Sequence, residues 1–525
     1  MRSGASIQII PQKIAFTPPS PTSNISRIAG IVRRGSERVE AKRTWTQTGE
    51  HHVSRWLAVG GIVLFGWMLW HSFANASGFV GSGGVTALLV VGAAVIALLV
   101  AFVLDRYMGR AASLAVVLTV AVGLRLIWIW SVDTQPVSDF LDMHSAALNA
   151  ASGDFSFGTS DYFTRWPYQL GFALYEALPI KLFGSSLIVL KLFNVLFQAA
   201  TAVLVYLSAA RAFGESAGKM ASLFYALYVP HIMMCSVLTN QHISVFFYFL
   251  GMYVLIRSNM RGTMDWLLIG ICFAIGNWMR PMGGFFIIGL LAYAALFLLA
   301  PRIRERSWLS LAAKCAGVLA VYWLLQQAAG FALAQSGVTS HGLTGREPYW
   351  KFVIGLNPAT NGGWSYDDTV YVTQFPLGEE RNRAELELLK ERLEDKRQVA
   401  ALFVSKTKTM WGAEDSAPMW SMADENRPVL YHRLVQAERI EYVLMALFGL
   451  IAMAALAYRG GTAQAGLYTL LLLGYAALHV VIEVQTRYRF DIFPCIFVLQ
   501  SYGAALLLNA LPRKSRGTEA RTAAA

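Results

Sequence analysis

Apolar residues run through this chain in long unbroken stretches rather than in helical stripes, and nothing else in it limits the fold so strongly. A continuous apolar run of roughly 18 or more residues, wound as a helix, matches the hydrocarbon thickness of a bilayer. About twelve runs approach this criterion, near 56–74, 83–104, 112–132, 187–207, 217–237, 243–256, 266–280, 283–300, 310–331, 441–458, 465–482 and 491–510. The sixth and seventh are short. Composition agrees, because 55% of the 525 residues are hydrophobic and only 14% are charged, too few to cover a soluble domain of this length. The expected fold is an all-α polytopic membrane protein with about twelve transmembrane helices.

The net charge is +12. In a soluble protein that would raise nucleic acid as a partner. Here the basic residues fall mainly in short loops between apolar runs, and no helix-turn-helix, zinc-finger or RNA-binding signature accompanies them, so no nucleic-acid partner is expected. The same charges orient the chain. Residues 1–55 form a basic head with the Pro-rich stretch Thr17–Pro21, expected as a disordered cytoplasmic tail. With the head inside, every loop predicted to be cytoplasmic carries Lys or Arg: Arg106/Arg110, Arg211/Lys219, Arg257/Arg261, Arg302/Arg304/Arg306, Arg459 and Arg513/Lys514. The alternate connections at 75–82, 238–242 and 281–282 carry none. Residues 511–525 are then a second cytoplasmic tail. The four cysteines lie in or beside apolar runs without a CxxC pair, so packing rather than a disulfide or zinc site is implied.

Two segments predicted to face outward are long, 133–186 and 332–440, and loops held by a rigid scaffold are where binding and catalysis concentrate. The first opens Ser138-Asp139-Phe140-Leu141-Asp142-Met143-His144. Asp139 and Asp142 share a helix face, where a carboxylate could take a proton from an attacking hydroxyl. The plainer reading is a helix start with Ser138 as cap and Asp139 favoured by the dipole. Arg165, Tyr168 and Gln169, among aromatics, suit a segment lying in the membrane interface or one guiding a lipid headgroup. Asn240, Gln241 and His242 could bond a sugar or simply wet a tight turn; neither His242 nor His144 belongs to an HxxxH pair. Arg280, at the end of the seventh run, is a snorkelling cation or a phosphate ligand. Glu483, Gln485, Arg487 and Arg489 concentrate polarity at the end of the eleventh run. Glu483 and Arg487 are spaced for an internal ion pair, yet two guanidinium groups there could also hold a phosphate.

Taken in order along the chain, these residues resemble the GT-C superfamily of membrane glycosyltransferases, in particular the family of protein O-mannosyltransferases and lipid A aminoarabinose transferases. The likeness runs over 112–510 through Ser138-Asp139-Phe140, Trp166-Pro167-Tyr168-Gln169, Leu182-Phe183-Gly184, Phe193-Asn194, Phe213-Gly214-Glu215, Arg280-Pro281 and Glu483–Arg489. It implies a GT-C-like core at 112–331, an outer loop region at 332–440, C-terminal transmembrane helices at 441–510, and residues 56–111 as an added hairpin. It further implies Asp139 as catalytic base and Arg280, Arg487 and Arg489 as contacts of a carrier phosphate, with Glu483 and Gln485 beside them. Asp142, His144, Arg165, Tyr168, Gln169, Asn240, Gln241 and His242 are the candidate substrate contacts. Thr239-Asn240-Gln241-His242 departs from relatives that carry an acidic residue there, which leaves a divalent metal open and no cofactor certain.

The activity implied is transfer of a monosaccharide from a polyprenyl-phosphate carrier to an extracytoplasmic hydroxyl acceptor on a glycan, lipid or protein, with inversion. Its expected setting is a bacterial plasma membrane, with membrane lipids as further partners. The competing readings are a carrier-dependent polysaccharide polymerase or ligase, and a transporter or flippase. The latter would favour inverted repeats and mid-membrane polar sites.

Overall fold

The computed structural model describes residues 21–302, 307–423 and 425–510, those before 51 and Arg302 by backbone alone. The chain divides into two units, residues 1–49 and 50–525, and the second holds the features discussed below. Residues 1–20 of the basic head, the C-terminal tail and the loop arginines Arg304 and Arg306 lie outside the described residues.

Every regular element described is helical. The chain opens with α1 (Pro21–Val80), α2 (Gly83–Tyr107) and α3 (Arg110–Ser131), and the 133–186 segment folds into α4 (Asp139–Ser152), α5 (Asp161–Arg165) and α6 (Leu170–Phe183). Then follow α7 (Leu187–Phe213), α8 (Glu215–Leu227), α9 (Val229–Met234), α10 (Gln241–Ser258), α11 (Asp265–Met279), α12 (Gly283–Tyr293) and α13 (Ser307–Gln335). The second long segment carries α14 (Trp350–Gly355), α15 (Tyr366–Thr373), α16 (Glu379–Arg392), α17 (Lys396–Gly412) and α18 (Ala417–Ser421). The chain returns through α19 (Pro428–Arg459), α20 (Ala463–Val481) and α21 (Phe493–Ala510).

Eight of the described helices are long and apolar enough to cross a membrane: His51–Val80 of α1, α2, α3, α7, α13, α19, α20 and α21. Helix α11 and the stretch Gly283–Leu299 are apolar but shorter. The protein is thus multi-pass, although the twelve spans expected are not all full-length helices. The expected span 217–237 divides at Tyr228, whose ψ of 113° is extended. Pro230 explains the break, because it has no N–H to give the carbonyl of a preceding turn and its ring would clash with that turn if the helix ran on. The carbonyls of Tyr225 and Ala226, orphaned by that break, accept from Arg125 of α3 at 3.2 and 3.1 Å. Arg125 is fully buried and also donates to Gln198 at 2.5 Å. A cation inside the helical bundle therefore serves as a helix cap.

The bundle core is built where α19 lies along α21, α10 along α11, and α7 beside α8 and α10, while α4 packs on α6. Two clamps hold the long segments, the first joining them to each other and the second fixing the later one to the bundle. Glu347 receives Arg165 at 2.9 Å and Arg381 at 2.7 Å, and the Arg346 N–H donates to the Arg165 carbonyl at 3.1 Å. Lys406, fully buried, donates to the carbonyls of Gly355, Val480 and Ile482 at 2.5, 2.8 and 2.9 Å. It thereby caps the C-terminus of α20, where carbonyls lack helical donors. Beside it the Glu483 and Val484 N–H groups donate to Lys351 and Gly362 carbonyls at 3.0 and 2.8 Å.

One close approach sets the spacing of α6 and α11. A Cβ on Gly171 would stand 1.9 Å from the Trp278 carbonyl oxygen. Backbone, unlike the tip of a side chain, cannot yield there. Gly171→Ala is expected to cost about 1–3 kcal/mol through overpacking, seen as a melting temperature lower by several degrees in detergent; an unchanged melting temperature would contradict the contact.

Candidate active site

Helix ends meet at one end of the bundle around a cleft of about 510 Å³. Asp139 at the start of α4, Tyr168 and Gln169 in the turn before α6, Asn240 before α10 and Arg280 after α11 all line it. Lys351 of α14, Glu483 after α20, and Arg487, Tyr488 and Asp491 of the following tight turn complete the polar part.

Asp139 is exposed into this cleft, and no hydrogen bond or ion pair holds its carboxylate among the described residues. Ser138 before it takes φ 53° and ψ −138°, and its hydroxyl does not cap the helix. A non-glycine residue in the positive-φ half of backbone space is strained, and such strain concentrates where a neighbouring side chain must be aimed. The capping role expected of Ser138 is therefore not the one it plays.

The cations opposite are arranged unequally. Arg280 binds Asp491 through Nε and Nη2, both at 3.0 Å, and donates to the Asn240 amide oxygen at 3.3 Å. Asp491 also receives the Gln241 amide at 3.0 Å and the Tyr475 hydroxyl at 3.2 Å. Lys351 pairs with Glu483, which also accepts from Tyr488 and Gln485, both at 2.7 Å. Burial alone would raise the Glu483 carboxyl, but the Lys351 ammonium and these hydrogen bonds outweigh it and hold the group at about 2. Arg487 differs. Its Nε donates to the Gln485 amide oxygen at 2.6 Å, its guanidinium lies 4.6 Å from the Trp420 ring centre and 5.1 Å from that of Phe140, and it has no carboxylate partner among the described residues. It is the cleft arginine left for an outside anion.

Among the described residues no donor set fits a metal ion. Glu483 and Asp491 are already bound to cations, Asp139 stands alone, and no group of three His, Cys, Asp or Glu able to hold an ion occurs among the described residues.

Of the candidates read from sequence, Asp139, Tyr168, Gln169, Asn240, Arg280, Glu483 and Arg487 come together in the cleft, with Gln485 bridging Glu483 and Arg487. The internal pair expected between Glu483 and Arg487 does not form, because α20 ends at Val481 and the two are not one helical turn apart. The remaining candidates lie elsewhere. Asp142 is exposed and lies outside the cleft lining. His144 turns toward α6 and meets Glu176 at 3.4 Å. Arg165 is spent on the Glu347 clamp. His242 is buried between Gln198 and the Met234 carbonyl, at 3.3 and 3.0 Å. Gln241 supports Asp491 from beneath rather than facing a substrate. Arg489 is fully buried, bound to Asp415 at 3.2 Å and the Ala413 carbonyl at 2.9 Å, and so does not reach the cleft. Sequence reasoning missed Lys351, Tyr488 and the role of Asp491. Tyr488 sits inside the polar run already singled out and Asp491 two residues past it; Tyr349-Trp350-Lys351 repeats the aromatic-plus-cation pattern read around Arg165, Tyr168 and Gln169.

With the geometry in place, comparison with known proteins is informative. The family described as dolichyl-phosphate-mannose-protein mannosyltransferase matches residues 170–325. The GT-C likeness stands on that match. It bears out the resemblance of this sequence to membrane glycosyltransferases, enzymes that transfer sugars. The matched region runs from α6 into α13 and contains Asn240 and Arg280, but neither Asp139 nor the turn at 483–491. Two solved structures are also similar. The archaeal oligosaccharyltransferase AglB from Archaeoglobus fulgidus, in complex with an inhibitory peptide and a dolichol-phosphate, is 13% identical, over 80% of this chain and 54% of its own, with a TM-score of 0.44. ArnT from Cupriavidus metallidurans, bound to undecaprenyl phosphate, is 12% identical, over 75% of this chain and 77% of its own, with a TM-score of 0.28. This chain spans about half the length of the archaeal protein. No curated protein matches it.

The Lys351–Glu483 contact sets a pH limit. The Glu483 carboxyl is depressed from its ordinary 4.5 to about 2, so its contribution is complete above 4.5 and is lost as pH falls toward 2. Hydrogen-exchange protection of residues 350–356 is expected to fall across that window in wild type. The Glu483→Gln variant should lack this step; the same step in the variant would assign it to another group.

Proposed function

We propose that this protein is a polyprenyl-phosphate-sugar-dependent glycosyltransferase of GT-C type, acting on an extracytoplasmic hydroxyl acceptor. The observation that carries this is the pairing pattern in the cleft. Among the described residues Asp139 is a carboxylate without a cation and Arg487 a cation without a carboxylate, while Arg280 and Lys351 are each matched. A free base and a free anion site facing one cavity are what an acceptor hydroxyl and a leaving phosphate require.

The chemistry follows from that division. The acceptor oxygen attacks the anomeric carbon, its proton passes to the Asp139 carboxylate, and the bond from that carbon to the phosphate oxygen breaks. The electron pair leaves with polyprenyl phosphate, so negative charge grows where Arg487 stands, with Lys351 and Arg280 nearby; preplaced cations stabilise such charge without reorganising. A single displacement inverts the anomeric centre. Phe285, Leu478 and Ile482 give the cleft an apolar side next to α12 and α20, suited to the first isoprene units of a carrier. The Lys- and Arg-bearing loops support placing the cleft on the extracytoplasmic face of the membrane, which we take to be a bacterial plasma membrane.

The test is incubation of purified protein with a panel of polyprenyl-phosphate monosaccharides and crude envelope acceptors. Wild type is expected to consume one donor, and Asp139→Asn to lower transfer by about 10²–10⁴-fold, the usual range for general-base loss, with the melting temperature unchanged. Consumption of no donor by folded wild type would overturn the reading; near-wild-type activity of Asp139→Asn would remove Asp139 from the role.

A further inference from the structure

The cleft continues into a second lobe of about 550 Å³, reached past Asp139, Trp166, Tyr168 and Arg487, which line both. The residues special to this lobe differ in kind from those around the phosphate cations. Trp364, Trp420, Thr409, Ser416, Gln485 and Thr486 line it, and no charged side chain joins them beyond those the two lobes share. We infer that the second lobe is an acceptor subsite for an uncharged saccharide chain, which makes the acceptor a glycan; this deepens the glycosyltransferase reading and rests on it.

The lining chemistry selects that ligand. A pyranose ring presents flat C–H faces, which pack on aromatic rings as apolar surface, and a rim of hydroxyls, which need neutral donors and acceptors. Trp364 is 56% exposed and belongs to none of the hydrophobic clusters among the described residues. Its ring centre is 6.4 Å from that of Tyr366, itself 67% exposed. Two large aromatics left uncovered beside a cleft mark a contact surface rather than a core. The hydroxyls point the same way. The Ser416 Oγ is buried without a hydrogen-bond partner among the described residues. Thr409 Oγ1 accepts from the Asn361 amide at 2.8 Å, which leaves its own O–H to donate. The residues special to this lobe add no cation for a second phosphorylated group beyond Lys351 and Arg487, which face the carrier phosphate, and a polypeptide would find no strand edge to pair with among the described elements.

Full-length protein in detergent is titrated with neutral di- to tetrasaccharides and, separately, with an uncharged Ser/Thr-containing peptide, following tryptophan emission; Trp364→Ala is run in parallel. A saccharide is expected to shift the emission saturably, with its apparent affinity weakened about tenfold or more in Trp364→Ala, as for loss of an aromatic anchor. In the transfer assay the same variant should raise KM for the saccharide acceptor more than it lowers kcat. Saturation by the peptide instead of any saccharide would overturn the inference, as would unchanged saccharide affinity in Trp364→Ala. Saccharide competing with the lipid donor rather than with the acceptor would also overturn it. Saturable, Trp364-dependent saccharide binding without consumption of any lipid donor would uphold this subsite while sinking the glycosyltransferase reading. Transfer to peptide without saccharide binding would do the reverse.

Discussion

Two carboxylates that water hardly reaches, Glu483 and Asp491, hold the cleft in shape, and most of the surrounding geometry can be traced to how each is satisfied. Taking a carboxylate out of water costs several kcal/mol unless cations and donors replace the lost hydration. Asp491 gathers Arg280, Gln241 and Tyr475; Glu483 gathers Lys351, Gln485 and Tyr488. Those six partners come from α20, the turn that follows it, and three distant parts of the chain. Satisfying two charges therefore brings α11, α10 and the 332–427 segment to the same place.

This arrangement separates structural from available charge. A cation bound to a buried carboxylate has its position fixed and its field largely cancelled, whereas Arg487 rests on aromatic faces and keeps its charge for whatever enters. The same division explains why a count of arginines near a loop says little about their roles. Arg489 lies two residues from Arg487 and carries the same side chain, yet it is wholly engaged with Asp415 and the carbonyls of Thr486 and Ala413.

Much of the architecture was legible from hydropathy alone. Long apolar runs report α2, α3, α7 and α13 directly, because an uninterrupted run leaves the backbone one way to satisfy itself in lipid. The run at 217–237 misled, since apolar character continues through Pro230 while the helix does not. In the site, polar residues gathered at run ends pointed to Asp139, Arg280 and the 483–491 turn. What stayed hidden were relations across the fold. Which face of α4 meets α6 sends His144 away from the cleft, and the clamp between Arg165 and Glu347 joins residues far apart in sequence. Lys351 was missed for the same reason, as its meaning lies in Glu483, over a hundred residues later.

The clamp of Lys406 on the end of α20 has a consequence for how the protein is made. Chains emerge from the N-terminus first. Asp139 and Arg280 are synthesised early, but Lys406 cannot settle until the Val480 and Ile482 carbonyls exist, and the 332–427 segment cannot dock along 483–485 before then. A nascent chain halted short of α20 holds Arg280 and Lys351 with their counter-charges, Asp491 and Glu483, still unmade. The site is therefore complete only once the chain has been made through α20 and the turn that follows it.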